Sequence, residues 1–461
     1  MIGEFSITPD EATGGHISPP TDNLNPNSLD VEHIEAEAAR LMAEIKSGER
    51  VANPEMVKMC RKVITKVLIW AEREGIKITN AERLGDTCLN PVLMIQTSDG
   101  RLLVAKGFSD EHGAEHLWQA RYLIDQWSLA SEMQIPEAIK WITEDVFVTE
   151  KVSGCSIKKE ILDSLDRENG HEHAKHIASN LGKMLCTIHS HNVEKLEQPV
   201  QMSVDYVSGS KESIVMSNLS LIIQNLEVVE RMGAVDFASL GCTKEALQDR
   251  LKATLQATQC SLVHGDAHFE NFFYESNKSI LSVIDYDTVN FGDPASDLGR
   301  ARASLVLTLR QRDCNEAEVQ SLLEAFDQGY LSKINQSEPN NSHLELQKEM
   351  VRAYEIRMYL ANIVHKMHRP LREKVASKIS EISNISGLPL NDLGDLLHRI
   401  TDSMIGPMQL AHFGFSPEEI ARLINMSESQ KQIEMYVIEM TDAKLFDLLR
   451  QNNEPYRREG I

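Results

Sequence analysis

The sequence predicts a bilobal α+β chain. A small N-terminal β-sheet lobe is followed by a larger, mainly helical C-terminal lobe, with helical extensions at both ends. Three observations predict it. Short β-patterned runs crowd residues 76–150. Apolar residues recur at helical spacing on either side of that region. Between them and the C-terminus, Val263 to Leu298 begins VHGDAHFEN and ends IDYDTVNFGDPASDL, two strand endings that each hand a carboxylate to the next loop.

In chain order, residues 1–29 hold four Pro, three Gly and no Lys or Arg, and read as a disordered tail. Residues 30–75 form a helical extension. Val31, Ile34, Ala38, Leu41 and Ile45 keep helical spacing up to Gly48, and Asn53-Pro54 starts a second helix that stops at Gly75. The sheet lobe, 76–150, opens with strands over Ile76–Leu84, Pro91–Gln96 and Arg101–Phe108, with Ser98-Asp99-Gly100 as a hairpin turn. Lys106 lies in the third strand, in LLVAKGF. A helix over 110–129 carries Glu111 and Glu115, and strands at Ile135–Ile139 and Val146–Glu150 complete the lobe.

The helical lobe spans 151–370. His171 to His191 is one helix with Ile177, Leu181, Met184, Leu185 and Ile188 on its apolar side. Its histidines read as structural or exposed rather than as a metal site. Asp293-Pro294 is an N-cap with Pro at the first helical position, and Asp297 falls in that helix's first turn, where the dipole favours an anion. Residues 371–461 form a second helical extension, with a capped start at Ser416-Pro417-Glu418-Glu419.

Composition narrows the function classes. The chain has 461 residues, 42% hydrophobic and 25% charged, and 47 basic against 69 acidic side chains leave a formal charge of −22. That excess disfavours nucleic acid and anionic membrane as partners; it describes an acidic surface that serves solubility, and is compatible with a cationic acceptor if acidic groups line a cleft. The seven cysteines are scattered without a CxxC, which predicts reduced thiols and a cytoplasmic location. The N-terminus lacks the pattern of a secretory signal, and no apolar run is long enough to span a bilayer.

The chemistry lies in 263–298. Asp266 is followed five residues later by Asn271, and Asp285 ends the apolar run from Ile280. A strand–loop–strand unit of this length holds the three together. Carboxylate and amide oxygens suit a hard divalent cation carrying phosphates, and Asp266 is left to take a proton from an attacking hydroxyl.

HGDxxxxN followed by IDxDxxxxGDPxxDL resembles the aminoglycoside phosphotransferase and choline kinase superfamily over about residues 76–370. Glu270 departs from the commonest pattern, in which Gly precedes the Asn. The resemblance implies a protein-kinase-like fold and an ATP- and Mg2+-dependent phosphotransferase acting on a hydroxylated small molecule. It implies Asp266 as catalytic base and Asn271 and Asp285 as magnesium ligands. Lys106 would meet the nucleotide phosphates, held by Glu115 or Glu111, and Thr149, Glu150 and Val152 would belong to the adenine-binding hinge. His264 would brace the catalytic loop, as would Asp293 and Asp297, and His189 would close the preceding helix. Asp287, two residues from Asp285 on an extended strand, and Glu270 are weaker candidates for the acceptor side. The rival readings are an atypical protein kinase and a non-catalytic, pseudokinase-type binding module.

Overall fold

The computed structural model describes residues 31–47, 54–84, 90–108, 138–143, 145–167, 170–190, 220, 222–230, 236–238, 243–255, 261–276, 280–334 and 348–363. The expected tail, the 85–90 turn apart from Asn90, the 110–129 helix and the C-terminal extension lie outside the described residues.

Alternation writes the sheet. β1 (Ile78–Arg83), β2 (Val92–Thr97), β3 (Leu102–Gly107), β4 (Ala138–Thr143) and β5 (Val146–Glu150) form one five-stranded antiparallel sheet in the order β1-β2-β3-β5-β4. The expected strand over Ile135–Ile139 lies in part outside the described residues; β4 is described from Ala138, and its Ile142 is buried near the β4–β5 turn. Leu93, Ile95, Leu103, Ala105 and Val148 face one way and are buried.

That face is covered by α1 (Val31–Ser47) and α2 (Pro54–Arg73). Ile34, Ala38, Leu41, Val63, Ile64 and Val67 join the strands in a single hydrophobic core. α1 and α2 precede the sheet in sequence yet supply one side of its core, because a sheet with one apolar face must bury it against another element. Asp145, in the β4–β5 turn, fixes α2 by ion pairs to Lys62 and Lys66 and accepts the Thr143 hydroxyl at 2.7 Å. These partners outweigh burial and hold its carboxyl at about 2.

Because side chains alternate along a strand, the opposite face carries Lys106, whose cross-strand partner is Phe147. Phe147 and Phe108 belong to the second core. That core is mostly helical. It is built from α3 (Ile157–Leu165), α4 (Gly170–His189), α5 (222–230), α6 (Lys244–Leu255), α7 (Pro294–Arg310), α8 (Glu316–Ile334) and α9 (348–363). In α4 the buried positions Ala174, Ile177, Ala178, Leu181, Leu185 and Ile188 recur every three or four residues, and this stripe packs along α8.

Five short strands are set among these helices. β6 (Cys155–Ser156), β8 (Phe272–Glu275) and β9 (Ile280–Val283) form one small sheet, and β7 (Ser261–Val263) pairs with β10 (Asn290–Gly292) in another. Among the described residues Cys60, Cys155, Cys186 and Cys314 form no disulfide. No helix among the described residues is long and apolar enough to cross a membrane.

Candidate active site

Strand register assembles the site. β8 runs antiparallel to β9 with Phe272 opposite Val283. The residues flanking this hairpin, Asn271 before it and Ile284-Asp285 after it, therefore lie side by side at its open end. The Ile284 N–H donates to the Asn271 carbonyl at 2.9 Å and seals that end. β7 pairs with β10, Asn290 opposite Val263, which brings the His264–Glu270 loop to the same place. Two residues turn the chain with left-handed backbone: Gly265 at φ +80° and Asp285 at φ 57°. For Gly265 that conformation is free of steric cost. For Asp285 it costs about 1–3 kcal/mol, the kind of strain that persists where surrounding contacts over-determine it.

Behind the loop stands a buried brace. The Asp297 carboxylate accepts the backbone N–H of His264 at 2.6 Å and of Gly265 at 3.0 Å, and His189 Nε2 donates to it at 3.1 Å. The Tyr330 hydroxyl sits 2.9 Å from His189 Nδ1. Burial by itself would raise the Asp297 carboxyl, but these donors and the field of His264 lower it instead. His264 Nε2 donates to the Ile284 carbonyl at 3.0 Å, while its Nδ1 accepts the Asp266 N–H at 3.2 Å. Both ring nitrogens are thus occupied by backbone, so His264 braces the loop. The Thr288 hydroxyl donates to the His264 carbonyl at 2.9 Å. Asp293 caps α7 by accepting the Ala295 N–H at 2.9 Å. Its burial pushes the carboxyl up to about 7, against the pull of Ala295 and Tyr354 and with the help of Asp297.

In front of the loop the charged groups are more open. Asp266 pairs through Oδ1 with Arg300 of α7. Its Oδ2 accepts Asn271 Nδ2 at 3.3 Å and lies 3.4 Å from His268 Nε2. Burial would raise the Asp266 carboxyl, but His268 and the Arg300 charge outweigh it and hold it well below the ordinary carboxylate range. Across the cleft, Lys106 reaches from β3 to pair with Asp285. The Lys106 side chain is 17% exposed and that of Asp285 37%.

Asp266, Asn271, Asp285, His264 and Lys106 are therefore brought together. Glu270 is beside them, but its carboxylate is paired with Lys158 of α3 at 2.8 Å. Asp287 requires a correction. It was expected to share an extended face with Asp285, yet Tyr286–Thr288 is a 3-10 turn entered through the left-handed Asp285, so the alternation of a strand does not relate the two. Thr149 and Glu150 end β5 opposite Val104 and Leu103. The Lys151 N–H donates to the Leu102 carbonyl at 2.9 Å, and Val152 begins the link to β6. Glu111 and Glu115 lie outside the described residues.

Two helix residues that pair with the candidate site residues were not foreseen from the sequence: Arg300 and Lys158. Arg300 had a findable signal, since it follows Asp297 by three positions on one helix and must lie near the same loop. Lys158 had none, because it meets Glu270 only through the packing of a separate helix.

Among the described residues no group of three or more His, Cys, Asp or Glu is placed to hold a metal by itself. A magnesium ion shared with nucleotide phosphates asks for less, one or two protein oxygens. The donor chemistry fits. Asn271 spends its Nδ2 on the Asp266 carbonyl (2.9 Å) and carboxylate, which leaves Oδ1 as the acceptor beside Asp285.

The family described as "Uncharacterized protein conserved in bacteria (DUF2252)" matches residues 229–438, a span that includes Asp266 through Arg357. No curated protein matches the chain. Among solved structures, similar ones are small-molecule phosphotransferases. The macrolide 2'-phosphotransferase of Brachybacterium faecium is 15% identical, over 64% of this chain and 90% of that one, with a TM-score of 0.40. An ethanolamine kinase of Plasmodium vivax is 14% identical over 74% and 89%, with a TM-score of 0.44. A choline kinase of Cryptosporidium parvum is 13% identical over 71% and 87%, with a TM-score of 0.41.

Proposed function

We propose that this chain is a phosphotransferase of kinase-like design that moves the γ-phosphate of ATP to a hydroxyl of a small molecule. The observation that carries the reading is the convergence of Asp266, Asn271 and Asp285 at one hairpin end, with Lys106 of the facing sheet reaching into the same cleft. Phosphoryl transfer makes small covalent demands on a protein and depends on positioning and charge. Each residue has such a task. Asn271 Oδ1 and the Asp285 carboxylate would hold Mg2+, which would offset the charge of the phosphates. Lys106, already against Asp285, supplies a cation to the same phosphates.

Asp266 orients the acceptor hydroxyl. Its lowered pKa keeps it ionised, so it accepts the hydroxyl hydrogen bond throughout and takes the proton late, as the leaving phosphoryl reaches the oxygen. Asn271 Nδ2 and Arg300 fix the direction of that carboxylate. Thr149, Glu150 and Val152 would present backbone groups to the adenine at the end of β5.

The test measures ADP release by the full chain with Mg-ATP against a panel of hydroxylated small molecules, with Asp266→Ala as the blank. An acceptor-dependent release absent from the variant supports the reading. Failure of the wild-type chain to bind Mg-ATP, or equal release by the variant, would sink it.

A further inference from the structure

His268 follows Asp266 by two positions, and the loop leaves its ring little freedom. Its N–H donates to the Asp266 carbonyl at 2.8 Å, which closes a three-residue turn around Ala267. Its own carbonyl accepts the Asn271 N–H at 3.0 Å. Ala267 and Phe269 on either side are fully buried, and the Phe269 N–H donates to Ser304 Oγ of α7 at 3.1 Å. With both neighbours turned into the core, the His268 imidazole is left at the front of the loop beside Asp266, its side chain 32% exposed.

The contacts of the ring fix its tautomer. Nδ1 accepts the Glu270 N–H at 3.2 Å, so Nδ1 carries the lone pair and the proton sits on Nε2. A proton on Nδ1 would set two donors against each other. Glu270, which supplies that N–H, is held in turn by Lys158. Nε2, with its proton, lies 3.4 Å from Asp266 Oδ2. Burial would raise the Asp266 carboxyl, and among the groups that lower it instead His268 comes first.

A carboxylate offers about four lone-pair sites, shared between its two oxygens. On Asp266, Asn271 Nδ2 and His268 Nε2 meet both sites of Oδ2, and Arg300 meets one site of Oδ1. The second site of Oδ1 meets no donor among the described residues. We infer that His268 is a positioning residue for the transfer: with Asn271 it occupies Oδ2 of Asp266 and so leaves the acceptor hydroxyl a single place, on Oδ1. The inference rests on the phosphotransferase reading and adds to it which oxygen of the base is used. The acceptor oxygen forms its bond to the γ-phosphorus, the bond to ADP breaks with its electron pair going to ADP, and the hydroxyl proton passes to Oδ1. Oδ2 then becomes the carbonyl oxygen of the acid and keeps both its donors, so nothing on that side has to move during the step. His268 keeps its own proton throughout.

Transfer to water requires no identified acceptor, so the probe is hydrolysis of Mg-ATP by the full chain, read as ADP release. Mg-ATP affinity is measured first by calorimetry. No affinity, or hydrolysis that Asp266→Ala leaves unchanged, would count against the phosphotransferase reading itself. His268→Ala should lower kcat by about tenfold, the scale of one hydrogen bond to a charged group, with KM for ATP unchanged. His268→Gln should recover most of that loss, because its amide N–H stands in for the Nε2 proton. Added to Asp266→Ala, His268→Ala should make no further difference, as expected of two residues that act as a unit. The inference is overturned if His268→Ala leaves kcat undiminished, if the Gln variant is no better than the Ala variant, or if the full loss adds to that of Asp266→Ala. The tautomer is read without turnover, by nitrogen NMR of labelled histidine at about pH 8, above the ordinary histidine range. The His268 signals are those that Asp266→Ala shifts and His268→Gln removes. A proton on Nε2 alone supports the inference, and a proton on Nδ1 or on both nitrogens would overturn it.

Discussion

The two sides of the His264–Glu270 loop are built from the same residue types and handle charge in opposite ways. Behind it, Asp297 is completely enclosed and satisfied by two backbone N–H groups and His189, all on elements fixed by the main core. In front, Asp266 and Asp285 are met by long, cationic side chains, Arg300 and Lys106, that a substrate or metal can displace. A carboxylate tied to backbone holds a shape, and a carboxylate tied to a guanidinium or ammonium waits for a ligand. The difference is one of exposure and partner, since the residue is Asp in each case. The charge of a buried group is costly to disturb, while exposed pairing in water is worth little.

That comparison predicts which substitutions disable chemistry and which disable folding. Asp266→Ala should lower turnover by about 10²-fold or more, the scale of a positioned base, with melting temperature and Mg-ATP affinity little changed. Steady-state kinetics beside calorimetry checks it, and a matching fall in thermal stability would erase the distinction between front and back. Asp297→Ala should do the reverse, costing about 3–5 kcal/mol of stability because His189 and two loop amides lose their buried partner. Denaturant titration reads this directly, and an unchanged midpoint would show that the brace is dispensable. Asp285→Asn removes one charge from the front and should weaken Mg-ATP by about tenfold, the equivalent of roughly 1.5 kcal/mol. Unaltered affinity in the presence of Mg2+ would place the metal elsewhere.

The smallest expected effect sharpens the comparison through pH. Asp293 is buried with its carboxyl raised to about 7 from an ordinary value of 3.8. An acid whose folded pKa is raised binds its proton more tightly in the folded state, so its contribution is most favourable below about 3.8. It declines as pH climbs towards 7 and is level above that. Asp293→Asn retains an oxygen to cap Ala295 and cannot ionise. Its stability profile between pH 4 and 7 should therefore be flatter than that of the parent chain by thermal melts, and parallel profiles would refute the assignment.

The sequence by itself determined most of the sheet and several helices, and it marked out Asp266, Asn271 and Asp285 as candidates. Alternation fixed β1, β2, β3 and β5 within a residue or two, and helical spacing fixed α1, α2 and α4, because those periods reflect which face each element buries. Asp266, Asn271 and Asp285 were legible for a related reason. They lie within 20 residues of one another, and two short antiparallel pairings with their own local pattern bring them together. Even there the reading failed at Asp287, where the left-handed Asp285 broke the assumed strand. Only the tertiary structure decided the rest. That α1 and α2 supply the sheet's core, that Lys158 engages Glu270, and that Arg300 pairs with Asp266 all depend on how separate elements cross. In the sequence Arg300, Arg302 and Arg310 are three arginines on one helix. Which of them faces a carboxylate of the site and which a structural one is set by the packing of α9 against α7, at Gly299 and at Glu355. Local periodicity records burial, and it carries no information about the charge on the surface that a helix will meet.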